Sequence, residues 1–384
     1  MAIRTLFLIM LLAPLPLLAA TYDETAHPDG SVHYKIKLDR EGRRHGKFVI
    51  YHPGGEAGAK GAKAEVGAYR AGELHGVVTR FDTDGTVLSE AMWVNGQCML
   101  PITERLLAHR LKQIEAEAQR AVAALPADDQ RPRPDAKILA AVLARTNHYR
   151  LLCGLDTDVV LDANYIHQGQ CAAEVCAALG KLDHHPKSNP GLSDDRWQAG
   201  RTGCGKSNLA MGRTGAGAVD MWIDDSDKSN RDRIGHRRWM LWPELERMGY
   251  GESGRYSAAH VIDGKGSSSA DVPAVRFPPA GLMPVAMFAP HYCWHIAPDP
   301  KRYEVAKNAR LVIRPYNPKT GERGEPIALQ FENVDFGGFG HRPAVIAQPE
   351  QLPLRPGAMF AVEVSGVTAK QDDAPALDWI AVFY

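Results

Sequence analysis

Gly235-His236-Arg237-Arg238-Trp239-Met240-Leu241, followed by Gly249-Tyr250-Gly251, is the stretch from which the rest of the chain can be ordered. It sets an imidazole beside two guanidiniums and among large apolar residues, a mixture that suits neither a plain surface nor a plain core. Three more pieces precede it: Lys181-Leu182-Asp183-His184-His185, Gly205-Lys206-Ser207-Asn208-Leu209-Ala210, and Ala218-Val219-Asp220-Met221-Trp222-Ile223-Asp224-Asp225. The last of these reads as helical. Further upstream, Ala136 to Arg150 has a helical pattern ending in Asn147-His148-Tyr149-Arg150 and then Cys153-Gly154-Leu155. Leu161-Asp162 opens a second helix that runs through Ala178, with Gly180 as its stop signal.

Taken in order over roughly 136–255, these pieces resemble the CAP superfamily: cysteine-rich secretory proteins, antigen 5 and pathogenesis-related 1. The matching succession is a helix with an Asn-x-x-Arg ending, a His loop, a Gly-Glu-Asn-Leu-Ala-type motif, a Trp-x-x-Glu-type helix and a Gly-His-Arg strand. Each piece is weak alone, and the ordered set is strong. The resemblance implies an α+β fold, a CAP-type α-β-α sandwich in which helices cover an antiparallel sheet. It also implies a cleft lined by two His and two Glu. The matching positions are His184, Ser207, Asp225 and His236, so the His pair is retained while the Glu positions hold Ser and the shorter Asp.

Two imidazoles can hold a divalent metal such as zinc, at most weakly, so His184 and His236 are the candidate metal ligands and no other cofactor is implied. Without the paired carboxylates, no catalytic residue is assigned. A Ser207–His236–Asp225 triad is conceivable by residue type, but no nucleophile-elbow sequence surrounds the serine. Each position also has a plain structural reading. His236 could be a hydrogen-bonded core residue, His184 and His185 a surface loop, Asp225 part of the solvated charged run from Asp224 to Asp232, and Ser207 a turn former.

Outward from this region, 21–99 is Gly-rich with short alternating apolar segments, and two stretches echo each other: Gly42-Arg43-Arg44-His45-Gly46-Lys47-Phe48 and Ala71-Gly72-Glu73-Leu74-His75-Gly76-Val77-Val78. They resemble MORN repeats, β-hairpin units that persist by stacking. Residues 100–135 read as an amphipathic helix, with Leu106, Leu107, Leu111, Ile114 and Ala118 at helical spacing, then a Pro-rich linker from Pro126 to Pro134. A CAP-like domain follows at 136–262. Short β-branched strands with regular turns over 271–384 suggest a C-terminal β-sandwich.

The 384 residues carry 45 Lys plus Arg against 45 Asp plus Glu, so no electrostatic footprint for nucleic acid exists. Arg4, the apolar run Leu6 to Leu18 and the small residues Ala19-Ala20 have the shape of a signal peptide over 1–20, too short to span a bilayer. Export makes the chain secreted or periplasmic, and its six cysteines (Cys98, Cys153, Cys171, Cys176, Cys204, Cys293) candidates for at least two disulfides, of connectivity left open. Three functions fit: binding of a small molecule, lipid or protein in the cleft without catalysis; metal-assisted hydrolysis through His184 and His236; or a structural envelope role for the β modules. The exported protein is expected to begin near Thr21 and to have no transmembrane segment. Intact-mass measurement checks this, and a retained Met1–Ala20 segment refutes it.

Overall fold

The structure is a computed structural model that describes residues 21–94, 96–100, 103–262, 272–318, 320–372 and 374–384. The leader read at 1–20, and Pro101 and Asp271 at the openings of two expected segments, lie outside the described residues. The chain forms two compact units, one ending at Cys98 and one running from Met99 to Tyr384.

The first unit is a single eight-stranded sheet: β1 (Tyr22–Ala26), β2 (Val32–Lys37), β3 (Gly46–Tyr51), β4 (Lys63–Arg70), β5 (Glu73–Leu74), β6 (Gly76–Phe81), β7 (Val87–Val94) and β8 (Gln97–Leu100). Neighbours follow chain order, except that short β5 pairs only with β4. Gly46 and Gly76, each following the His of an echoing stretch, have φ of 83° and 90°, where only glycine is free of strain. The echo in sequence is therefore an echo of chain reversals. Ile36, Phe48 and Val78 form the small core.

Among the described residues the second unit holds six α-helices: α1 (Glu104–Ala123), α2 (Ala136–Leu152), α3 (Ala163–Leu179), α4 (Asp194–Lys206), α5 (Ala216–Asp224) and α6 (Gly235–Met240). Thr103, Asp135 and Asp162 accept backbone hydrogen bonds as N-caps of α1, α2 and α3, and Gly180 ends α3 in the left-handed region. Strands β9 (Val160–Leu161), β10 (Ser207–Met211), β11 (Arg247–Ser253) and β12 (Tyr256–His260) make a sheet in the order β10-β12-β11-β9. It is antiparallel apart from β9, which runs parallel to β11. Alternation along the strands separates two packed faces. Leu209, Tyr256 and Ala258 pack with Cys176, Trp197 and Cys204 of α3 and α4, whereas Ala210, Tyr250 and Ala259 join Val142, Val219 and Trp222 of α2 and α5.

Two further four-stranded sheets complete the unit, built from β13 (Ala274–Phe277), β14 (Gly281–Met283), β15 (Trp294–Pro298), β16 (Tyr303–Pro315), β17 (Leu329–Asp335), β18 (Ala344–Pro349), β19 (Met359–Ala369) and β20 (Trp379–Phe383). Their orders are β13-β15-β18-β17 and β14-β20-β19-β16. Trp294 of one meets Phe360 and Phe383 of the other. Most of their buried residues belong to the same cluster as Leu107, Leu139 and Trp222, so the helices and C-terminal strands share one core, while Ala344 and Ile346 of β18 pack with Ile234 and Cys293 in a smaller one.

Two elements depart from expectation. Gly235-His236-Arg237, expected on a strand, is the start of helix α6, because Ile234 takes a left-handed turn (φ 43°) and the Asp225 carboxylate caps the new helix. Helix α4 has no counterpart in the sequence reading because it is glycine-rich, and two of its glycines, Gly200 and Gly203, face α3. A Cβ at Gly203 would lie 2.1 Å from Gln168 O, and one at Gly200 would lie 2.7 Å from Cys171 O.

The expected disulfides are not formed: Cys153, Cys171, Cys176, Cys204 and Cys293 are free thiols, and the side chain of Cys98 lies outside the described residues. Cys171 and Cys176 diverge around α3, while Cys153 and Cys293 sit on other elements. Burial pushes the Cys153 and Cys171 thiols up to about 12 and about 11, which makes them unreactive.

The Gly-Tyr-Gly of β11 has the same cause as the glycines of α4. A Cβ at Gly251 would lie 2.1 Å from Gln170 Cα, against a helix backbone that cannot yield. Gly251→Ala should therefore destabilise the protein by about 3 kcal/mol or more. Gly205→Ala, whose Cβ would meet only His184 O at 3.6 Å, should change stability by less than about 1 kcal/mol. Urea denaturation of both variants checks the contrast.

Candidate functional site: a two-imidazole cleft

His184 lies in the loop between α3 and α4, and its Nδ1 is 2.9 Å from Cys204 O at the end of α4. A carbonyl only accepts, so Nδ1 carries the proton and Nε2 keeps a free lone pair. His184 is exposed in its loop, and partial desolvation of the ring, with a smaller push from His236, lowers its pKa from the ordinary histidine value.

His236 is the second residue of α6. Its Nδ1 is 2.8 Å from Asp225 Oδ1, which places a proton on Nδ1, so that in the neutral ring Nε2 is the acceptor. The two rings lie with centroids 6.5 Å apart and planes inclined by 28°. Each imidazole thus has one nitrogen fixed by the protein and the other available, the arrangement that orients histidines toward a metal or a hydrogen-bond donor.

Asp225 is only 3% exposed, which overturns its reading as part of a solvated charged run. Its Oδ1 holds the His236 ring, and its Oδ2 accepts the backbone N–H groups of His236 at 2.9 Å and Arg237 at 3.4 Å. The residue sits in the left-handed region (φ 44°), which Asp tolerates better than most side chains. With both oxygens engaged, Asp225 positions His236 and is not arranged as a third metal ligand.

Ser207 does not form a turn. It opens β10 opposite His260, and its buried Oγ has no hydrogen-bond partner among the described residues. The serine of the conceivable triad is thus not bonded to the Asp225–His236 pair. Its neighbour Asn208 instead reaches the site, donating from Nδ2 to His236 O at 2.9 Å. The structure therefore joins His184, His236 and Asp225 by direct contacts, and ties Ser207 to them only through the strand.

Sequence reasoning missed three contributors. The Cys204 carbonyl leaves no side-chain signal, and Asn208 stood in a quoted motif but was assigned nothing. His260 carried no motif: it stacks on Tyr165 at 3.9 Å, and burial, aided by Lys206, pushes its pKa down to about 4. Among the described residues no group of three or more His, Cys, Asp or Glu could hold a metal ion, so any metal here would be held by two nitrogens and complete its shell from the ligand or water.

Residues 143–258 match the model of a protein family described as CAP, Cysteine-rich secretory protein family, which supports placing this region in the CAP superfamily. No curated protein and no solved structure matches the chain.

The buried histidines fix the acid response. The half-buried His148 and the buried His260 and His295 have lowered pKa values, with desolvation as the largest cause. Below about pH 6.5 the unfolded chain takes up protons that these folded rings refuse, so stability falls with pH through that window. The midpoint of thermal unfolding should be flat above pH 7 and drop by several degrees, about 4 °C or more, between pH 6.5 and 4.5. His260→Phe, which keeps the stack on Tyr165, should flatten part of that slope.

Proposed function

We propose that the chain is an exported, extracytoplasmic protein whose CAP region binds a ligand through the two-imidazole cleft and does not catalyse. The observation that carries this reading is the shared orientation: Nδ1 of His184 and of His236 are both committed to protein acceptors, and neither Nε2 has a partner among the described residues. Such a pair accepts hydrogen bonds from a polar ligand, or holds one divalent metal weakly with that ligand completing the shell. The ligand is a small molecule, a lipid or a protein group, and nucleic acid is not a partner. Among the described residues no helix is long and apolar enough to cross a membrane, which is consistent with release after signal cleavage. The N-terminal sheet is read as a MORN-like array and the C-terminal sheets as a β-sandwich, modules suited to contact and spacing.

One observation favours a second reading, a metal-assisted hydrolase. The buried Asp225 bonded to His236 is half of a general-base arrangement, and Nε2 of that ring could take a proton from a bound water. Calorimetric titration with zinc, with parallel peptide and ester assays, separates the two. The binding reading expects weak zinc uptake, lowered more than tenfold in His184→Ala/His236→Ala and roughly tenfold in Asp225→Asn, which loses only the orienting contact, with no hydrolysis at any zinc concentration. Turnover that is lost to a chelator and in the double variant, and restored by zinc in the wild type, would establish the hydrolase instead.

A further inference from the structure

Three nitrogen-bearing side chains, Arg238 of α6, His295 of β15 and Arg342 just before β18, line one small pocket, with Trp242, Val275 and Phe339 as its apolar wall. Among the described residues no carboxylate lines it, and neither His184 nor His236 does. Its volume is about 10 Å³, room for one water-sized particle or one monoatomic ion and nothing larger.

Two N–H groups of this lining have no acceptor. Arg238 is only 3% exposed. Its Nη1 donates to Arg233 O at 3.0 Å and to Asp335, and its Nη2 to Gly337 O at 3.0 Å and to Arg342 O, which leaves Nε without a partner among the described residues. His295 is wholly buried, and its Nδ1 lies 3.4 Å from Arg237 Nη1. A guanidinium only donates, so Nδ1 is the acceptor. Burial, with Arg237 and Arg238 nearby, holds the ring's pKa well below the ordinary histidine value. The neutral ring therefore carries its proton on Nε2, which also has no partner among the described residues. A buried donor left without an acceptor keeps its full desolvation penalty, and a charged one keeps more. The charge is as one-sided as the hydrogen bonding: Arg342 donates to Val272 O at 3.0 Å and has no ion-pair partner among the described residues.

We propose that this pocket binds one monoatomic anion of chloride size, which accepts from Arg238 Nε and His295 Nε2 while Arg342 adds a second positive charge. The occupant follows from the lining. A water would accept both hydrogen bonds but leave the positive charge unanswered, a cation would meet only donors, and sulfate, phosphate or a carboxylate exceeds the space. The anion joins α6 to β15 and to the segment before β18, so it stabilises the folded second unit and links that stability to halide concentration.

The test is thermal unfolding of the full-length chain in chloride, bromide and gluconate at equal ionic strength, with anomalous diffraction from crystals grown in bromide. Chloride and bromide should raise the unfolding midpoint saturably, by about 3 °C or more over gluconate, which is too large to enter. The bromide peak should lie in the pocket, within hydrogen-bond reach of Arg238 Nε and His295 Nε2. Arg342→Gln, at a half-buried position, should raise the chloride concentration needed for half the shift by roughly tenfold. His295→Phe, which keeps an aromatic ring but not its N–H, should abolish the shift; if that variant does not fold, Arg342→Gln and the bromide peak decide the matter. His184→Ala/His236→Ala should retain the shift, which separates the anion from the cleft. Equal midpoints in chloride and gluconate, a shift unaltered by Arg342→Gln, or an ordered water where the bromide peak is expected overturns the proposal.

Discussion

The buried guanidinium of Arg237 is the contact on which the second unit turns. The residue is fully enclosed, and among the described residues no carboxylate is hydrogen-bonded to its guanidinium. Instead Nε donates to Ile223 O at 2.5 Å, Nη1 to Cys293 O at 2.6 Å, and Nη2 to Asp224 O, while the group lies 4.4 Å over the Phe277 ring. Withdrawing such a charge from water costs several kcal/mol unless its donors are satisfied, so the carbonyls must be where they are. Two belong to α5 and one precedes β15. A single side chain therefore fixes a CAP-region helix against the C-terminal strands, and the separation of the two by sequence character does not mark a separation in the fold.

The neighbouring residues extend the same clamp. Arg238 donates to Asp335, to Gly337 O and to Arg342 O, and Trp239 meets His341 edge-on. Helix α6 has only six residues, too short to persist by its own hydrogen bonds. It is held from outside by two arginines on the C-terminal side and by Asp225 at its start. His236 is the next residue before Arg237, so the orientation of the cleft imidazole is inherited from a contact made by the C-terminal sheets. Arg150 plays the matching role behind α6, donating to the Trp242 and Met240 carbonyls. The Asn-x-x-Arg ending is in this chain a structural anchor, not a part of the cleft.

What could be read in the sequence divides along physical lines. Helices α1, α2, α3 and α5 were legible because caps, apolar spacing and the Gly180 stop all act locally, and so were the hairpin reversals at Gly46 and Gly76. Helix α4 was not, because Gly200 and Gly203 look like helix breakers until the backbone of α3 is placed beside them. Helix α6 was not, because its cap comes from Asp225, on the other side of a loop. For the site, residue type pointed to His184 and His236. The tautomers that give the pair its chemistry depend on a backbone carbonyl and a buried carboxylate, neither of which leaves a mark in composition.

The short side chain of Asp225 has a reason within this chain. At φ 44° the backbone is in a region where a short polar side chain is tolerated and a longer one is not favoured. From there the carboxylate reaches both the first N–H groups of α6 and the His236 ring, and its charge also lies near the Arg237 guanidinium. One acid thereby serves helix capping, ring orientation and the field around a buried cation. A group committed in three directions cannot also travel to a ligand. The chemistry left to the site belongs to the two imidazoles, whose neutral tautomers each offer one Nε2 lone pair.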